Sequence, residues 1–254
     1  WYRTLCDYFG EEKPRLIQRA VAPSSTGEDA HGEKIRNNKF KGYAEGLHVP
    51  HPIFVKHVDR IVNGSEWALN HVIWRVLRTN GVVTSYAKDW IRELVPEIQS
   101  IVFSRNYELI LSSGKHYVGS LERRACLDSL AVLTILLRLA QESADTELAW
   151  TFAIAIYRVL LIIGPELDEQ KIADRLFDVY VERIFSQLGY NNTTPDFENF
   201  HYLRTSYILD QLSERLRLVH GRKINKKMPS YFAIRVLNGQ DLGLKDLFEF
   251  PVAT

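Results

Sequence analysis

The residues of this chain with the plainest chemical use are cationic, and they gather in two places. The first group is Arg36, Asn37, Asn38, Lys39 and Lys41, where guanidinium, ammonium and carboxamide groups follow one another closely. Such groups reach phosphate oxygens and base edges. The second is Arg215, Arg217, Arg222, Lys223, Lys226 and Lys227. Six cations near a helix end can neutralise phosphates with a salt-dependent affinity, or can solvate that end and sit against its negative pole. His48, His51 and His57 cluster around Pro50. No Cys pair and no ligand spacing accompany them, so they read as structural or surface residues. Asp174, Asp178 and Glu182 fall at four-residue steps beside Lys171, Arg175 and Arg183. That spacing reads as a salt-bridged solvent face rather than as paired catalytic carboxylates. There is no phosphate-cradling Gly loop, nucleophile elbow or zinc motif, so no catalytic residue, metal or cofactor is assigned.

The first basic group leads into Lys39-Phe-Lys-Gly-Tyr43-Ala-Glu45-Gly46-Leu-His-Val-Pro50 and then a helical pattern. This segment resembles the one that closes the recognition helix of Cro/C1-type helix-turn-helix proteins. There an aromatic residue, an acidic residue and a Gly end the helix, and a Pro begins the next. The continuation through Val62-Asn-Gly-Ser65 to Asn70-His71-Val-Ile-Trp74 is similar to uncharacterised bacterial proteins with a degenerate form of the module. The resemblance covers residues 36–74. It implies that Glu33 to Tyr43 is the helix that enters a major groove, with Arg36, Asn37, Asn38 and Lys39 reaching bases or phosphates. Upstream, the turn-rich stretch 22–32 stands where the family has a tight turn, so half of the motif is legible. A narrower pattern, Arg215 and His220 as Arg-x4-His, is similar to the signature of helical HEPN ribonucleases, with Leu216 where they carry a polar residue. It implies cleavage of RNA through its own 2′-hydroxyl in a dimer cleft.

The elements that must position these groups follow from hydrophobic spacing. Three consecutive stretches, Ser120 to Ser143, Asp145 to Ile163 and Asp168 to Leu188, hold the densest apolar material. In the first, Arg124, Asp128, Thr134, Arg138 and Glu142 make one solvated stripe, opposite Leu121, Ala125, Leu130, Leu133 and Leu137. Ser120 is placed to cap it, and Cys126 reads as a small buried hydrophobe within it. The second is apolar nearly all round. About 17 residues with Arg158 inside fall short of the ~20 uncharged residues a bilayer needs, so it reads as a core helix stopped by Gly164-Pro165. The third puts Ala173, Phe177, Val181, Ile184 and Leu188 on one face. Short connections between the three favour antiparallel neighbours.

Before this block, Pro52 to Val62 predicts a helix burying Ile53, Val55, Val58 and Ile61, and Ser65 caps a segment through Asn70. Val82 to Phe103 predicts two short helices interrupted at Pro96. After it, Phe200 to His220 predicts an amphipathic helix, and Asn238-Gly239 turns a hairpin or caps a helix.

The expected fold is therefore all-α, a helical bundle around three central antiparallel helices with smaller N-terminal helices. The expected domains are a small helical region at 1–80, HTH-like by its resemblance, and a bundle at 81–254 with an irregular C-terminal tail. With 32 basic and 31 acidic residues there is no global field to attract nucleic acid, so such a site must be a local patch. Two cysteines argue against a secreted disulfide scaffold. The chain begins at Trp1 without an initiator Met, which reads as an excised segment, and no signal peptide is visible. The expectation is a cytoplasmic, non-enzymatic protein associated with nucleic acid, DNA favoured over RNA, and not with a membrane. The alternatives are a protein-interaction scaffold in a larger assembly, with a protein partner or a homo-oligomer, and a HEPN-like ribonuclease.

Overall fold

Helical periodicity becomes helices almost wherever it occurs in the computed structural model, which describes residues 1–23, 38–220, 230–240 and 245–253. The chain forms two units, Trp1–His71 and Val72–Thr254. The first contains α1 (Tyr2–Phe9), α2 (Pro14–Val21), α3 (Lys39–Ala44), α4 (Pro52–Asp59) and α5 (Ser65–Asn70). Its core is Leu5, Cys6, Ile17, Val21, Phe40, Val58 and Val62, with Trp1, Tyr43 and Phe54 packed against it. Ser65 does not cap α5. Its hydroxyl faces Asp59 at 3.4 Å, and the Asp59 carboxylate accepts from the Glu66 amide at 2.8 Å, taking the capping role.

The second unit is the helical bundle. It runs α6 (Val72–Arg78), α7 (Thr84–Arg92), α8 (Pro96–Val102), α9 (Lys115–Glu122), α10 (Leu127–Glu142), α11 (Thr146–Glu169), α12 (Ala173–Arg183), α13 (Tyr202–His220) and α14 (Tyr231–Leu237). Two two-residue strands, Thr194–Pro195 and Val252–Ala253, pair antiparallel near its end. The centre is α10, α11 and α13, so the third central member is the helix after Phe200, with α12 flanking it. The chain turns between α10 and α11 over Ser143 to Asp145, and Asp145 caps α11 by accepting from the Leu148 amide at 3.0 Å. Asn238-Gly239 caps α14, with Gly239 left-handed at φ 68°, and makes no hairpin.

Three further expectations about α9 to α11 are corrected. The first central stretch is two helices, because Ala125 turns left-handed (φ 36°) and Cys126 is extended at the N-cap of α10. The Ser129 hydroxyl accepts from the Cys126 amide at 3.0 Å, replacing Ser120, whose hydroxyl bonds back to His116 within α9. Cys126 is thus a half-buried cap residue.

Secondly, the polar stripe of α10 is no solvated face. Thr134 is fully buried against Tyr180 (2.7 Å), and Asp128 accepts from the Val95 amide at the head of α8 (3.1 Å). Arg138 donates to the Val76, Thr79 and Gly81 carbonyls behind α6. Glu142 accepts from the Val83 and Thr84 amides and the Thr84 hydroxyl at the head of α7.

Thirdly, Gly164-Pro165 does not stop α11, which runs 24 residues to Glu169. Pro165 has no amide to give the Leu161 carbonyl. The Ser206 hydroxyl of α13 donates to that carbonyl at 2.7 Å, and the Tyr202 hydroxyl donates to the neighbouring Leu160 carbonyl at 2.9 Å. At this length α11 could cross a membrane by length and composition, yet 67% of its most apolar window is buried inside the bundle. Its Arg158 is held by Glu122 of α9 at 3.3 Å and by the Asn238 carboxamide at 2.6 Å.

Candidate nucleic-acid interface

What α3 buries fixes what it shows. Phe40 lies among Trp1, Tyr43 and Phe54, with ring centroids 5.4–6.4 Å away, over the α1–α2 core. Gly42 leaves room for the His48 ring directly on the helix, where a Cβ would collide with it. Gly46 is left-handed (φ 71°), and the Leu47 amide returns to the Gly42 carbonyl at 2.8 Å, ending the helix. Pro52 opens α4, and the His51 ring accepts from the Ile53 amide at 3.3 Å. His57 donates to the Val21 carbonyl at 3.2 Å. The three histidines are therefore spoken for by local structure, and no His/Cys/Asp/Glu group among the described residues is arranged to hold a metal.

Asn38, Lys39 and Lys41 are each exposed, but two helical residues turn through about 200°, so Lys41 stands away from the buried rings while Lys39 stands beside Tyr43. Lys41 meets Glu45 at 3.7 Å, a surface pair weak enough to exchange for a phosphate. Lys39 also borders a cavity of about 250 Å³ lined by Gln18, Tyr43, His51 and Phe54. Arg36, Asn37, Arg222, Lys223, Lys226 and Lys227 lie outside the described residues, as does the 33–37 part of the expected recognition helix. In α13, Arg217 is tied to Glu214 through Nε (2.7 Å) and Nη2 (2.5 Å), while Arg215 is exposed. Five helical residues turn through about 140°, so the backbone does not by itself place Arg215 and His220 on one face.

Sequence reasoning misses two features. Ile53 is not buried; with Leu47 and Val49 it forms a run 68–78% exposed beside α3, and Ile61 is 37% exposed. Val55 and Val58 alone of that set turn inward. In the bundle, α12 is not a salt-bridged face: among the described residues no ion pair joins Asp174, Asp178 or Glu182 to Lys171, Arg175 or Arg183. Its charges separate to two edges. Asp174 and Asp178 border an aromatic cavity of about 540 Å³ with Phe177, Phe197 and Phe200. Arg175 and Arg183 border a groove of about 340 Å³ against α6. The signal for that groove is Arg175, Val179 and Arg183 at four-residue steps, a spacing that pairing along the helix would share.

No protein-family model matches the chain, and no curated protein or solved structure matches it either.

Proposed function

We propose that the protein is a non-enzymatic, nucleic-acid-associated helical protein that contacts duplex DNA through the exposed polar residues of α3. The observation that supports this reading is the division of α3 itself. Phe40 and Tyr43 anchor it, while Asn38, Lys39 and Lys41 are exposed around a helix closed by Gly46 and followed by the Pro-led α4. A cationic helix ended by a Gly and followed by a Pro-led helix is what the Cro/C1 resemblance implies for a helix that reads a groove.

Polarisation of a labelled duplex, titrated at several salt concentrations, tests it. Binding should fall as salt rises. Lys39→Ala/Lys41→Ala should flatten the log–log salt slope by about two, one unit for each phosphate no longer neutralised. Both side chains are exposed, so the fold should survive the change. Absence of salt-sensitive binding in the wild type would overturn the reading.

A second reading, a subunit of a protein assembly, is favoured by the exposed run Leu47, Val49 and Ile53, because apolar side chains shown together mark contact surfaces. Leu47→Ser/Ile53→Ser should then release a stoichiometric partner during purification while leaving duplex binding unchanged.

A further inference from the structure

The groove between α6 and α12 belongs to the larger unit and is independent of either reading of α3. Its floor is Trp74 and Leu77 from α6 with Ile172, Leu176 and Val179 from α12 and the turn before it. Leu77 and Leu176 are core residues, whereas Trp74, Ile172 and Val179 remain half-exposed. Three guanidiniums, Arg78, Arg175 and Arg183, stand on the rim, and among the described residues no carboxylate lines the groove. Arg183 is partly committed, donating to the Leu77 carbonyl at 3.4 Å. Arg78 and Arg175 are exposed and, among the described residues, have no carboxylate within ion-pairing distance.

We infer that this groove receives an acidic amphipathic helix of a partner protein. Apolar residues at one helical face would cover Trp74, Ile172 and Val179, and flanking carboxylates would meet Arg78 and Arg175. The charge pattern argues for that occupant. The chain as a whole is balanced, with 32 basic and 31 acidic residues, yet Asp174 and Asp178 of α12 border the other cavity, and the charged residues that border this groove are all cationic. Arg is the side chain suited to bidentate capture of carboxylates. The floor is mostly aliphatic, with Trp74 its one aromatic ring, and half-exposed apolar side chains on two helices match the i, i+4 anchors of a docked helix.

The test is fluorescence anisotropy with a labelled, designed 18-residue helix of Leu, Ala and Glu, amphipathic at helical spacing. Its controls are the same peptide with every Glu replaced by Lys and an unlabelled duplex DNA as competitor. The acidic helix should bind with a dissociation constant below about 100 µM, the scale of a small groove contact. Arg175→Glu and Arg78→Glu should each weaken it about tenfold, with the circular dichroism spectrum unchanged because neither side chain is buried. Val179→Lys should weaken it through the floor. No binding of the acidic helix, equal binding of the lysine peptide, wild-type affinity in Arg175→Glu, or displacement by DNA would each overturn the proposal. Because the α3 variants lie in the other unit, loss of DNA binding there leaves this result unaffected.

Discussion

Pro165 sits inside a helix at a cost that a residue of a neighbouring helix offsets in part. A proline in a helix interior costs about 3 kcal/mol, through its missing donor and its clash with the preceding turn. Here the orphaned Leu161 carbonyl takes the Ser206 hydroxyl instead, and Tyr202 serves Leu160. That approach is possible because residue 164 is glycine: a Cβ there would lie 2.8 Å from the Ser206 Cβ and 3.1 Å from the Tyr202 hydroxyl. Ser206→Ala should therefore cost about 1–3 kcal/mol, the penalty of leaving a buried carbonyl unmade. Gly164→Ala should cost at least as much, because overpacking at this crossing pushes α13 away. Urea unfolding monitored by far-UV circular dichroism measures both. Gly-Pro is a sound stop signal in an isolated helix. It fails here because of Ser206, a residue far downstream that nothing local connects to Pro165.

At the scale of the element, α10 acts as a bracket for the helices that precede it. Asp128 caps α8, Glu142 caps α7, and Arg138 gathers the carbonyls after α6. Burial alone would push the Glu142 carboxyl up. The Thr84 hydroxyl, the Val83 and Thr84 amides and nearby Arg138 outweigh that, holding it below its ordinary value of 4.5. A carboxylate depressed in the folded state stabilises fully above its unfolded value and loses that contribution as pH falls through the folded one. Glu122 runs the other way, its carboxyl raised by burial despite Arg158 and Arg123, so acidification relieves a cost there. Glu142→Gln should lower stability at neutral pH by about 1 kcal/mol, a cap contribution discounted for its exposure. The gap from wild type should narrow between about pH 5 and about pH 3, as read from unfolding midpoints across that range; a constant gap would show that charge plays no part. The positions of these polar residues are legible as a stripe at helical spacing. Their direction is not, since a charged stripe turned to water and one turned to neighbouring helix ends have the same period. Hydrophobic density does mark α10, α11 and α12 as helices and amphipathic spacing marks α13, but density picks α12 rather than α13 as the third central helix; Pro96 marks a boundary that the structure keeps.

For the molecule as a whole, the decisive fact is that its two units bury separate cores. The packed core of residues 1–71 holds seven buried apolar residues, against 48 in that of residues 72–254, among the described residues. No residue is shared between the two sets. Stability scales with apolar area removed from water, and a small domain buries a smaller share of its surface. The first unit should therefore melt at lower temperature, in its own transition, and binding-face variants of α3 should be judged against that margin. Gly42→Ala, which drives the His48 ring off α3, should shift the lower transition alone. Leu133→Ala, in the centre of α10, should lower the upper one, by about 2–5 kcal/mol. Differential scanning calorimetry of the wild type and both variants resolves this. One transition that both substitutions move together would mean that the cores unfold as a single cooperative unit, and that α3 draws its rigidity from the bundle rather than from Phe40 and its neighbours.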